Sequence, residues 1–111
     1  MTWVATIRIE DIDDEDVVGV QAGDHRVALY RYKDQYYATS NTCSHGRARL
    51  SDGYLEEYTI ECPLHQGTFD IRTGEATGPP CKKPIRCFPV KVDNGVIHVQ
   101  VSAETVLNKP N

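Results

Sequence analysis

A chain of 111 residues accommodates one domain, taken as 1–111, and little beyond it. Apolar residues at 40% and charged residues at 25% are ordinary for a globular protein, and so small a core lets a bound cofactor contribute much of the stability. A net charge of -4 argues against nucleic acid or an anionic membrane as the main partner and would suit a basic docking surface.

In chain order, short β-like runs are predicted at Trp3–Ile9, Val17–Val20, Arg26–Tyr32, Gln35–Thr39, Tyr58–Glu61, Thr68–Ile71, Ile85–Val92 and Val96–Val101. Lys33-Asp34 reads as a hairpin tip, and Asn94-Gly95 as a tight turn with positive φ angles. Ser51–Glu57 offers at most a turn of helix. Asn41–Gly53, Cys62–Gly67 and Gly74–Pro84 break the pattern, and the last is not expected to form a regular strand, because it holds Gly78-Pro79-Pro80. No apolar run approaches the roughly 18–20 residues that cross a bilayer, and the opening lacks a signal-peptide pattern. A cytoplasmic, membrane-free, all-β antiparallel protein is therefore expected. In that compartment its four cysteines read as metal ligands or buried thiols.

Two of those cysteines stand beside histidines, in Cys43-Ser44-His45 and Cys62-Pro63-Leu64-His65. Each loop offers one thiolate and one imidazole, a set competent for zinc or for an iron–sulfur cluster. A zinc finger pairs its cysteines in one knuckle and its histidines on a helix, whereas here each loop mixes the types. In a Rieske centre two cysteines hold one iron and two histidines the other, which two facing mixed loops satisfy. One Rieske-type 2Fe-2S cluster on Cys43, His45, Cys62 and His65 is the favoured reading, with structural zinc the alternative.

The stretches Cys43-Ser-His-Gly-Arg-Ala-Arg-Leu-Ser-Asp-Gly-Tyr-Leu and Glu61-Cys-Pro-Leu-His-Gln-Gly-Thr-Phe-Asp resemble the Rieske ferredoxins of bacterial aromatic-ring-hydroxylating dioxygenase systems. The likeness runs from about Trp3 to Val101. It implies three stacked antiparallel sheets forming a sandwich, with both ligand loops at one end and the Gly78–Pro80 loop shielding the cluster. It also implies a monomeric, non-enzymatic carrier of single electrons from an NAD(P)H-dependent flavin reductase to a terminal oxygenase. A small Rieske subunit of another redox enzyme, such as an assimilatory nitrite reductase, is the alternative. Respiratory Rieske proteins carry extra disulfide cysteines and hydroxyl donors, where this chain has Ala48, Leu64, Gly67 and Phe69. The tip formed by His45 and His65, ringed by Gly46, Arg47, Gln66 and Pro79-Pro80, is expected to be a mostly uncharged dock for both partners.

Cys81 and Cys87 lack a histidine at ligand spacing and are read as non-ligands, Cys87 as a small buried residue. His25 and His98 are read as strand or turn residues. The acidic run from Glu10 to Asp16 is expected to be a solvated loop, and the tyrosines at 30, 32, 36 and 37 to pack in the core.

Overall fold

The computed structural model describes residues 2–43, 48–64, 66–78 and 83–101. Eleven strands follow one another: β1 (Thr2–Arg8), β2 (Asp16–Ala22), β3 (His25–Tyr32), β4 (Gln35–Ser40), β5 (Tyr54–Glu56), β6 (Thr59–Glu61), β7 (Thr68–Asp70), β8 (Ala76–Gly78), β9 (Cys87–Phe88), β10 (Val90–Asp93) and β11 (Val96–Val101). They make three antiparallel sheets, ordered β1-β11-β10, β2-β3-β4-β9 and β5-β6-β7-β8. The all-β expectation holds. Among the described residues no helix is long and apolar enough to cross a membrane.

The hairpin tips follow from local chemistry. Asn94 and Gly95 take φ of 52° and 77°, which suits the right-handed twist of β10 and β11. Lys33 and Asp34 take 54° and 60° without a glycine. Ile85–Val92 is not one strand, because Pro89 has no N–H to donate to a ladder. The chain changes sheets there, β9 pairing with β4 and β10 with β11.

Two strands run against expectation. Tyr54–Glu56 forms β5, turning into β6 at Glu57 with φ of 56°, a tip with no turn residue to announce it. Ala76–Gly78 forms β8 inside the segment read as strandless, because Thr68 and Phe69 of β7 offer it a free edge just before the prolines. Tyr30 and Tyr32 are buried and Tyr36 and Tyr37 half-buried, as core packing requires. The Tyr30 hydroxyl bonds Thr39 Oγ1 at 2.8 Å, and burial pushes its pKa upward.

The acidic run is not merely solvated. Asp11 accepts the Arg8 amide N–H, Asp14 that of Lys33, Glu15 that of Glu57 and Asp16 that of Val17. Two of these amides belong to left-handed hairpin residues, so Asp14 and Glu15 staple the β3–β4 and β5–β6 tips. Replacing either with Ala should lower the melting temperature by a few degrees. Asp13→Ala should leave it unchanged, as thermal unfolding by circular dichroism would show.

Candidate metal centre

Cys43 follows β4, and Cys62 follows β6. The Cys43 amide N–H donates to the Ala48 carbonyl at 3.0 Å, and the Cys62 N–H to the Gly67 carbonyl at 2.7 Å. Both loops are thus closed by the same bond, from a cysteine amide to the carbonyl five residues on. The C-x-H and C-x-x-H segments are each carried across an equal span. Sequence spacing alone hides that equivalence.

The stems of the loops are tightly joined. Asn41 accepts the Leu50 amide N–H on its backbone carbonyl and the Ser51 amide on Oδ1, and its Nδ2 donates to Ser51 Oγ. Gly53 lies against the backbone of Glu61, the residue before Cys62, with the carbonyl carbon 3.1 Å from where a Cβ would stand. No side chain fits there. These two features, a buried asparagine and a glycine at a close approach, carry no motif signal of their own, and the sequence reading missed both.

Cys43 and Cys62 are buried at 2% and 0% exposure in one apolar cluster with Leu50, Ile60, Phe69 and Ile71. The two thiols adjoin. Burial first, and the neighbouring Cys43 thiol second, push the Cys62 thiol up to about 11, against the opposing pull of the Leu64 amide. Two adjacent soft donors, shielded from water and not disulfide-bonded, fit the thiolate half of an iron–sulfur site. Metal binding would displace both protons, which links cluster loading to folding.

His45 and His65 lie outside the described residues, as do Gly46, Arg47, Pro79, Pro80 and Cys81. In the second loop, Pro63, Leu64 and Gln66 are exposed, with Leu64 at 43% and Gln66 held at φ of 62°. The second loop therefore meets solvent while its cysteine faces the core. Phe69 is fully buried opposite Ile60, and Ala48 packs on the same cluster.

The remaining candidates are structural. Cys87 is half-buried, its Sγ 3.9 Å from the Ile71 carbonyl, and burial raises its pKa. His25 meets Phe88 edge-on at 5.6 Å, and His98 Nδ1 lies 3.1 Å from the Val96 carbonyl. Among the described residues no group of three or more His, Cys, Asp or Glu side chains surrounds a common point.

Comparison with known proteins agrees with this geometry. The Rieske [2Fe-2S] domain matches residues 2–89. The ferredoxin component of the naphthalene 1,2-dioxygenase/salicylate 5-hydroxylase systems of Ralstonia sp is 49% identical over 92 residues, covering 83% of this chain and 88% of the relative. The ferredoxin of carbazole 1,9a-dioxygenase from Nocardioides aromaticivorans IC177 superimposes with a TM-score of 0.88 at 36% identity, over 92% of this chain and all of that one. A ferredoxin solved in complex with the oxygenase of carbazole 1,9a-dioxygenase gives 0.83 at 36% identity, over 90% and 97%. The chain belongs to the Rieske 2Fe-2S domain family, and its cofactor is a Rieske-type 2Fe-2S cluster.

Proposed function

We propose that this chain is the ferredoxin component of an aromatic-ring dioxygenase system and carries out no substrate chemistry itself. It would act as a monomeric single domain over 1–111, taking single electrons from a flavin-dependent reductase and delivering them to a terminal oxygenase. The near-full-length likeness to ferredoxin components carries this reading. Cys43 and Cys62 would hold the inner iron, and His45 and His65 the outer one. When bound, the cluster supplies reversible one-electron redox chemistry.

The chain's own residues do the rest. Leu50, Ile60, Phe69 and Ile71 keep water from the thiolates, while the matched loop closures fix the backbone at both cysteines. Two thiolates cancel the +2 charge of an oxidised core, and neutral imidazoles add none, so one electron leaves a single negative charge. A low-charge site favours uptake more than a four-thiolate one does. Gln66 and Leu64, exposed beside His65 in sequence, belong to the proposed tip.

Stopped-flow rates test the assignment. Reductase should reduce the protein, and terminal oxygenase should reoxidise it, each with second-order kinetics. Gln66→Trp should slow both steps severalfold while the visible spectrum stays unchanged. Failure of the reduced wild-type protein to pass electrons to any ring-hydroxylating oxygenase, with tight copurification on another large subunit, would instead support a fixed redox-enzyme subunit.

A further inference from the structure

Cys43 follows β4 and Cys62 follows β6, so the two thiols reach one point from different sheets. They lie within hydrogen-bond reach of each other inside one buried apolar cluster, and neither is disulfide-bonded. Contacts on both stems hold the pair together: Asn41 is bonded to Leu50 and Ser51, and Gly53 lies against the Glu61 backbone. Cys87 is placed differently. It is half-buried, and its Sγ lies 3.9 Å from the Ile71 carbonyl.

Adjacency decides what an oxidant does to a thiol. A sulfenic acid on an isolated cysteine persists until further oxidation carries it to the sulfinic form, which thiols do not reverse. Beside a second thiol it condenses instead, because the neighbour's effective concentration far exceeds that of an oxidant in solution. The bond to be made is about 2.05 Å long, so side-chain rotation must close the sulfurs from hydrogen-bond reach. The apolar surroundings favour the same outcome. A disulfide places no charge among Leu50, Ile60, Phe69 and Ile71, whereas a sulfinate would.

We propose that Cys43 and Cys62 form a reversible oxidation site: once peroxide has stripped the cluster, the pair closes to a disulfide, and reloading waits on a dithiol reductant. One thiol attacks hydrogen peroxide, giving a sulfenic acid and water. The second sulfur then attacks the first; an S–S bond forms, the S–O bond breaks, and water leaves with the second thiol's proton. Two thiols together give up two electrons, and one peroxide accepts them. The trigger rests on the ligand set proposed above; the proximity of the thiols does not.

The holoprotein is the sample. It is bleached with hydrogen peroxide, quenched with iodoacetamide and mapped by mass spectrometry, beside an unbleached portion labelled in the same way. Two of the four thiols should disappear on bleaching, in a Cys43–Cys62 peptide pair lighter by two hydrogens. Ferrous iron and sulfide should restore the visible spectrum after dithiothreitol treatment and fail to do so without it. Cys81→Ser combined with Cys87→Ala removes the competing thiols and should behave as wild type. Bleached protein whose Cys43 and Cys62 are both free, both carry added oxygen or sulfur, or are bridged to Cys81 or Cys87 would overturn the proposal, as would full reloading without reductant. In those cases, protection of both cysteines from iodoacetamide before bleaching would leave the ligand set standing. Rapid labelling of both in protein that keeps its full colour would overturn the ligand set, and the trigger with it.

Discussion

Cys62→Ala is expected to give a colourless protein without acid-labile sulfide and with sharply reduced yield. Cys62 is fully buried, and its thiol adjoins that of Cys43, so under the proposed ligand set the substitution leaves one thiolate where the inner iron would need two. Cluster binding and folding are linked, because loading requires cysteine ligands as thiolates, and burial holds the Cys62 proton in place. The variant should therefore lose the cluster's contribution to stability as well as its colour. Cys87→Ala is the matched control: it removes a half-buried thiol that lies 3.9 Å from the Ile71 carbonyl and is not among the proposed ligands, so iron content and the visible spectrum should stay at wild-type levels. Iron and sulfide analysis of both variants, with their melting curves, checks the pair. A Cys62→Ala protein that retains its visible spectrum would remove Cys62 from the ligand set.

Gly53→Ala is expected to be nearly as damaging, although Gly53 is no ligand. The added methyl would overlap the Glu61 carbonyl, with the Leu50 carbonyl oxygen 3.2 Å away on the other side. Both neighbours are backbone and cannot swing aside as a side-chain end would. Relief requires moving the stem before Cys62 away from the stem after Cys43, at a cost of about 1–3 kcal/mol for overpacking. In a domain of this size each kcal/mol lowers the melting temperature by about 4–8 °C. Cluster occupancy should fall to half or less, because the two cysteines no longer meet at ligand separation. Gly23→Ala separates this from a general glycine effect: Gly23 also has an unusual backbone, φ of 62°, but open space around it. It should cost less and leave occupancy intact. Equal occupancy and melting temperature in Gly53→Ala and wild type would mean that the stems are not packed as described.

The sequence announced the chemistry more fully than the architecture. Donor type and spacing single out Cys43, His45, Cys62 and His65 as the proposed ligands; of these the two cysteines converge in the fold, and the two histidines lie outside the described residues. Strands bounded by Gly, Asn or Asp were legible, whereas β5 was not, because its turn at Glu57 is held open by Glu15 from a distant loop. The same long-range bonds explain why the acidic run read as solvent-facing: carboxylates that cap amides look identical in sequence to those that face water. β8 was obscured by the prolines after it, since strand pairing there depends on the free edge of β7.

The ligand set itself is tested most directly by electron paramagnetic resonance of the freshly purified, reduced protein, with its nitrogen couplings resolved and metal and sulfide measured on the same sample. The account predicts about two irons and two sulfides per chain, an average g below the free-electron value, and two histidine nitrogens coupled to the cluster. His45→Ala and His65→Ala should each remove that signal. Stoichiometric zinc without sulfide, or a 2Fe-2S signal with no histidine nitrogen coupling, would contradict it.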